Sequence, residues 1–318
     1  MIQALAITGP TASGKTAISI ALARELGCEI ISCDSMQIYK DMNIGTAKVT
    51  AEEAAGIPHH LIDLVEPSEP FSVEDYRALA IERAKDIIER GGLPLLVGGT
   101  GLYVDALMRA PMTDVPESRR EYRDSILAGL KTEADIDALW QRLREVDPES
   151  AEVIHKNNVR RVIRALEIYD TCGRTKSEID RESKRAARDI SIGMITLDFH
   201  DRENLYSRVD ARVDIMMREG LLEEVASLYG DGRLPKDSTA AQAIGYKEII
   251  RHLDGEISLA EAIDLIKLST RRYAKRQLTW FRHNEAMRLY LDSEEGVMRA
   301  KDEIIGDALC LARELIQK

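Results

Sequence analysis

Gly9-Pro10-Thr11-Ala12-Ser13-Gly14-Lys15-Thr16 is the stretch on which the fold turns. It fits G-x-x-x-x-G-K-[ST], a phosphate-cradling loop, and its surroundings are the ones that loop needs. Gln3 to Ile7 ahead of it is a short apolar run that reads as a buried strand. Thr16 to Leu26 behind it has helical periodicity and stops at Gly27, a good residue just past a helix end. The two glycines let the backbone close into a nest of N–H donors, and the helix adds its positive N-terminal end. Lys15 is a point charge for terminal phosphate oxygens, and the Thr16 hydroxyl is placed for Mg²⁺. The string predicts a polyphosphate ligand. A nucleoside triphosphate and a diphosphate ester offer it the same charge.

Working outward, Glu29 to Cys33 and Leu93 to Val97 read as further strands, the latter closed by Gly98-Gly99. A long amphipathic helix, Val73 to Arg90, lies between them. Strands alternating with helices predict an α/β fold with a parallel sheet flanked by helices, of the P-loop NTPase-like kind. After Pro111 and Pro116 only helical periodicity remains as far as Cys172, with Asp147-Pro148 as a cap followed by proline in the first turn. A charged stretch, 174–189, follows. Ile192 to Leu197 then resumes the sheet, and Met287 to Leu291 is a last strand. The expected organisation is a core domain from 1–116 and 190–318, interrupted by an all-α insertion domain at 117–189.

The chain has 318 residues, 44% of them hydrophobic and 31% charged, which reads as globular and water-soluble. No apolar run is long enough to span a membrane, and no secretory leader is apparent. Cys28, Cys33, Cys172 and Cys310 show no C-x₂-C or zinc-ligand spacing, which fits a reducing cytoplasm. With 44 Lys and Arg against 55 Asp and Glu, the net charge is −11. That sum argues against a general nucleic-acid binder, although local clusters can override it.

In open α/β sheets ligands bind beyond the carboxyl ends of the strands. The phosphate loop, Asp34 after the second strand and Thr100 after the third all fall there. Asp34 could be a Mg²⁺ ligand, a general base, or only the cap of a helix, because Asp34-Ser35-Met36-Gln37 also fits a capping box. His59 and His60 are adjacent on an extended segment and point to opposite sides, which favours hydrogen bonding over a shared site.

Two segments depart from the global charge. From Lys156 to Arg188 there are ten Lys and Arg against five acids; from Lys267 to Arg288 there are seven against Glu285 alone. In the second, Lys267, Arg271, Lys275 and Arg282 share a helical face, with Trp280 and Phe281 nearby. A solvated basic face is the plain reading. A basic helix with aromatics is also the footprint expected for a phosphate backbone.

These residues resemble the bacterial tRNA dimethylallyltransferase (tRNA isopentenyltransferase) family. The matching strings are GPTASGKT (9–16), DSMQIYKDMNIGTAK (34–48), IPHHLID (57–63), LLVGGTGLY (95–103), RRVIRALEIY (160–169), RVDARVDIMMREGLLEEV (208–225), QAIGYKE (242–248) and TRRYAKRQLTWFR (270–282). They run in order along nearly the whole chain. The resemblance implies transfer of a dimethylallyl group from its diphosphate to N6 of the adenosine 3′-adjacent to the anticodon (tRNA position 37). It implies that Gly9 to Thr16 hold the prenyl diphosphate rather than ATP, with Mg²⁺ at Thr16. It further implies that Asp34 is the general base, that Thr100 lies at the reacting centre and that Arg212 contacts the diphosphate. By residues alone Arg212 reads as a surface helix residue. The tRNA contacts so implied are Asp34, Ser35, Met36, Gln37, Thr100, Arg160, Arg161, Arg164, Gln242, Gly245, Tyr246, Lys247, Lys275, Arg276, Gln277, Trp280 and Arg282. The expected working form is a cytoplasmic monomer.

Other classes share the loop. A small P-loop kinase would consume ATP but has no use for the basic C-terminal helix. An adenylate isopentenyltransferase would prenylate a free nucleotide and would not need 160–164 or 275–282. An RNA-binding protein with a vestigial loop would bind tRNA without releasing diphosphate.

Overall fold

Along each central strand the side chains alternate between two apolar faces. In β1 (Ile2–Thr8), Ala4 and Ala6 enter one core while Leu5 and Ile7 enter the other. The same split recurs in β2 (Cys28–Ser32) with Ile31 and Ile30, in β4 (Leu93–Gly98) with Leu96 and Leu95, and in β5 (Ile190–Asp198) with Met194 and Ile195. A sheet apolar on both faces must be covered on both. The short edge strands β3 (His59–His60) and β6 (Met287–Tyr290) complete a six-stranded sheet of order β3-β2-β4-β1-β5-β6. Every pairing is parallel, so all carboxyl ends lie on one edge. The fold is the P-loop-like α/β class. β3, two residues long, shows no period for a sequence reading to detect.

The computed structural model describes residues 2–110, 120–185, 189–284 and 286–317. The chain divides into two compact units, 1–108 with 189–318, and 109–188. The expected boundary at 116/117, and Arg188 and Glu285 of the two basic segments, lie outside the described residues.

In the first unit the helices are α1 (Lys15–Leu26), α2 (Ala51–Ala54), α3 (Val73–Glu89) and α4 (Gly101–Met108). One face of the sheet packs on Tyr76, Ala80 and Ala84 of α3 and on Tyr103 and Val104 of α4, and the Tyr76 and Tyr103 rings stack 3.8 Å apart. The other face packs on Ile18 and Leu22 of α1.

The second unit is all-helical where described: α5 (Arg120–Gly129), α6 (Glu133–Val146), α7 (Pro148–Val153), α8 (Val159–Cys172) and α9 (Lys176–Arg185). Its own core gathers Leu143, Ala151, Ile154, Val162 and Leu166. Asp147 caps α7 as the sequence predicts, through a bond from the Ser150 amide at 3.1 Å. Its second oxygen accepts the Ser177 amide at 3.1 Å, which ties α9 to the same point.

After β5 the first unit resumes with α10 (Arg202–Glu219), α11 (Leu221–Gly230), α12 (Tyr246–Leu253), α13 (Leu259–Phe281) and α14 (Lys301–Gln317). Ala274 and Leu278 of α13 and Ala308 and Ala312 of α14 join the core shared with α1. All four cysteines are free thiols. Among the described residues no helix is long and apolar enough to cross a membrane.

Candidate active site

Three chain reversals meet at the carboxyl edge of the sheet: the loop after β1, the turn after β2 and the turn after β4. The strand order puts β4 between β1 and β2, so the loop bearing Lys15 and the turn bearing Asp34 flank the Gly98-Gly99 turn. One cavity of about 580 Å³, wholly within the first unit, is lined by Lys15, Thr16, Asp34 and Arg212. Gly14 enters α1 at φ 85°, a left-handed conformation that a side chain would strain.

The Lys15 ammonium donates to the Gly9 and Pro10 carbonyls at 3.1 and 2.6 Å, folded back over its own loop. Burial first and Arg212 second lower its pKa to about 7, against the opposing pull of Asp34. Arg212, half-buried on α10, is likewise pushed down by burial and pulled up chiefly by Asp34. Two cations and one carboxylate therefore act on one another across the cavity, at strengths water would otherwise screen. The Thr16 hydroxyl-bearing side chain is exposed on the cavity wall.

Asp34 starts no helix. Its Oδ1 accepts the Met36 amide at 2.9 Å, an Asx turn rather than a capping box. Gln37 does not reach back to residue 34. Its Oε1 accepts the Ser32 hydroxyl at 3.0 Å and its Nε2 donates to the Thr46 and Ala47 carbonyls at 3.2 and 3.3 Å. This leaves the second carboxylate oxygen of Asp34 to the cavity side. Thr100 is set behind the wall rather than in it: its Oγ1 accepts the Ser35 amide at 3.1 Å. Ser35, Met36 and Gln37 themselves line the cavity.

The expected RNA contacts separate into groups. Gln242, Gly245 and Lys247 line the same cavity, as does Arg276. Tyr246 is fully buried and donates its hydroxyl to Glu224 at 2.5 Å, so its side chain offers a polynucleotide no surface. Gln277 is buried too, with both amide atoms bonded to backbone. Trp280 packs against Gly101, where an added Cβ would fall 2.4 Å from the indole. Of these three only Gln277 lines the cavity.

The basic stripe on α13 is only half available. Lys267 pairs with Asp214 at 2.6 Å and Arg271 with Asp210 at 2.8 Å, both acids on α10. Arg282 lies 3.7 Å from the buried Asp198. Arg272, Lys275 and Arg276 remain exposed. In the second unit Lys156, Arg164, Arg174, Lys176 and Arg181 all have acidic partners. Arg160 and Arg161 stay exposed at the start of α8. A charge count along the chain could not reveal this neutralisation, because the acids that pair on α13 come from α10, 53 and 61 positions away.

Arg272 and Tyr273 line the cavity although neither is among the expected contacts, and His59, expected only to hydrogen-bond, lines it as well. The histidines do diverge as expected. His60 bonds Glu29 at 2.7 Å, while His59 turns to the cavity with its Nδ1 on the Ile57 carbonyl at 2.8 Å. Tyr273 lies against the Thr100 and Gln277 side chains. Its hydroxyl is pushed up to about 12, first by burial and then by Asp34, and so keeps its proton. Its position one helical turn before Gln277 is the signal that could have found it.

A family described as IPP transferase matches residues 37–284. A tRNA dimethylallyltransferase of a Thermoanaerobacter species is 47% identical over 306 residues, covering 96% of each chain. The Geobacillus thermodenitrificans tRNA dimethylallyltransferase is 52% identical over 280 residues, 87% of this chain and 86% of that one. The crystal structure of a tRNA isopentenylpyrophosphate transferase from Bacillus halodurans matches with a TM-score of 0.70 at 42% identity, covering 100% and 98% of the two chains. A eukaryotic dimethylallyltransferase captured acting on tRNA matches at 0.77 and 32% identity over 91% of this chain and 74% of that one. With a matched family spanning most of its length and relatives this similar end to end, the chain belongs to the IPP transferase family.

Proposed function

We propose that the protein transfers the dimethylallyl group of dimethylallyl diphosphate to N6 of the adenosine 3′-adjacent to the anticodon of tRNA, releasing diphosphate. One observation carries the reading: a phosphate loop, a half-buried arginine and a lone carboxylate line a single cavity. A kinase needs the first two. A carboxylate facing them from the next turn suits a reaction that also removes a proton from an acceptor.

The adenine amine is a weak nucleophile because its lone pair is delocalised into the ring. The electrophile must therefore be strong. As the bond from the allylic C1 to oxygen breaks, its electron pair goes to the diphosphate, where Lys15, Arg212 and the amides at the start of α1 meet the growing charge in a preorganised site. The N6 lone pair closes on C1, and Asp34 takes the N6 proton. Thr100 holds the Ser35 amide and so fixes the turn on which Asp34 stands.

The donor set accommodates Mg²⁺. The Thr16 hydroxyl is a hard oxygen donor exposed in the cavity, and Mg²⁺ commonly takes only one or two protein oxygens beside phosphate and water. Bound there, the ion would neutralise charge on the departing diphosphate.

A stacked loop base cannot enter such a cavity, so the target adenosine must be extruded. Arg160 and Arg161 on the second unit, and Arg272, Lys275 and Arg276 on α13, support backbone contacts to the tRNA. In this reading the second unit is an RNA-contacting insertion. Four free thiols and a tRNA substrate support the cytoplasm as its place.

The test is a transfer assay with dimethylallyl diphosphate, Mg²⁺ and unmodified tRNA, run in parallel with AMP or ATP in place of tRNA. Prenylated tRNA is expected, and nothing from the other arms. Prenylated AMP would favour a free-nucleotide transferase, and ATP turnover a kinase. Asp34→Asn should lower the single-turnover rate by ~10²–10⁴ with tRNA affinity kept. An unimpaired rate removes Asp34 from the base role.

A further inference from the structure

Gln277 stands on the helix whose exposed side is basic, yet its own side chain faces inward and is 5% exposed. Its Oε1 accepts the Thr11 amide of the phosphate loop at 2.9 Å. Its Nε2 donates to the Gly99 carbonyl, in the turn after β4, at 2.8 Å. One primary amide thus joins two of the three reversals that build the cavity, and it does so from a third element. The fit is tight: a Cβ on Gly99 would fall 2.1 Å from the Gln277 Nε2. Only an amide offers an acceptor and a donor side by side at this length. A carboxylate could not donate to the Gly99 carbonyl, and an ammonium could not accept the Thr11 proton.

We propose that Gln277 is a positioning residue for the prenyl diphosphate, not a contact for RNA. Resting on the transfer reaction proposed above, the inference assigns the side chain a different partner from the one its basic neighbours suggest. Thr11 and Gly14 enclose the cradle. With the Thr11 amide held by Gln277, that N–H is directed away from the ligand, and the amides that follow are fixed in register for phosphate oxygens. The Gly99 bond fixes the residue just ahead of Thr100, whose Oγ1 in turn holds the Ser35 amide. Loss of the bridge frees the cradle and the Thr100 turn to drift apart. Donor binding should then suffer before anything on the RNA side does.

Gln277→Met keeps the length and removes both bonds; Gln277→Asn keeps the amide one methylene short and guards against a variant that does not fold. For each, two quantities are read: inorganic pyrophosphate affinity with Mg²⁺ by calorimetry, and tRNA affinity by filter binding. A KM for dimethylallyl diphosphate accompanies them. The expectation is a roughly tenfold loss of pyrophosphate affinity and a matching rise in donor KM, with tRNA affinity within about twofold of the parent. A merely structural defect would lower the melting temperature and the active fraction and leave donor KM in place. If tRNA affinity falls while pyrophosphate binding holds, the side chain belongs to the RNA interface and the inference is overturned. A parent protein that transfers no prenyl group would sink the proposed reaction, yet leave the pyrophosphate comparison readable on its own.

Discussion

The Glu224 carboxylate accepts the Ile44 amide at 2.7 Å, although 180 positions separate the two residues. The same carboxylate takes the Asn43 and Gly45 amides at 2.9 and 3.2 Å and the Tyr246 hydroxyl at 2.5 Å. It therefore staples the loop that leaves Asp34, and the Thr46 and Ala47 carbonyls of that loop hold Gln37. Glu224→Ala removes the acceptor from three amides and a phenol at once. The expected cost is ~2–3 kcal/mol, read as a lower urea midpoint with an unchanged slope. Glu224→Gln, which retains one acceptor oxygen, should fall between. An alanine variant with the parent's midpoint would show that water replaces the staple without loss.

Gly98 closes β4 directly beside the strand that delivers Asp34. A Cβ there would lie 2.2 Å from the Cys33 carbonyl oxygen, which is backbone and cannot rotate away. That carbonyl also accepts the Thr100 amide at 3.1 Å, and the Cys33 amide donates to Val97 at 2.7 Å. Gly98→Ala must push β2 and β4 apart at the point where both deliver residues to the cavity. Overpacking of this kind costs ~3 kcal/mol. Prenyl transfer should be lost even in the fraction that remains folded, measured as rate per active site after titration with pyrophosphate. A folded, fully active variant would contradict the assigned strand register.

The strands and the cradle could be read from the sequence for the same reason: each has a local signature. The apolar runs at 3–7, 29–33, 93–97 and 192–197 fall within one residue or two of the observed strands. Asp147-Pro148 and Gly173 mark helix ends where they are found. What could not be read is non-local. Gln277 looks like one more polar residue in a basic helix until the Thr11 amide is found against it. Lys267 and Arg271 count as free charge until Asp214 and Asp210 appear across from them. Asp34-Ser35-Met36-Gln37 satisfies a capping-box pattern, but the Gln37 Oε1 that would accept the Asp34 amide accepts the Ser32 hydroxyl instead, and no helix forms there.

Lys15 should make diphosphate binding pH-dependent near neutrality. Burial and Arg212 hold its pKa near 7, against an ordinary value of 10.5. A bound diphosphate brings negative charge and raises it again, so above pH 7 the ligand binds with proton uptake. Affinity for the prenyl diphosphate is expected to fall as pH rises from 7 to 9. Calorimetry in buffers of different ionisation enthalpy should show uptake approaching one proton at pH 9 and little at pH 6. The sign for the free protein is opposite. Between about 7 and 10.5 the unfolded chain binds more protons at this site than the folded one, so this group's contribution to stability rises with pH across that window. Lys15→Met should abolish both slopes. Proton uptake that persists in the variant would move the titration to another group.

On α13 the paired and the exposed cations should differ in salt dependence. Lys275 and Arg276 are exposed, and a phosphate contact by each releases counterions. Lys275→Ala with Arg276→Ala should lower the magnitude of the log–log salt slope of tRNA affinity by ~1.5–2 and weaken binding most at low salt. Lys267→Ala with Arg271→Ala should change the slope by less than half of that, because Asp214 and Asp210 already neutralise these cations. The second pair has a different consequence. Asp210 Oδ1 is buried without a hydrogen-bond partner, so removing Arg271 leaves the whole carboxylate uncompensated between α10 and α13. Stability should drop by ~1–3 kcal/mol in that variant and stay near the parent's in the first. Equal salt slopes for the two double variants would mean that the Asp210 and Asp214 pairs open when tRNA arrives, and that all four cations reach phosphate.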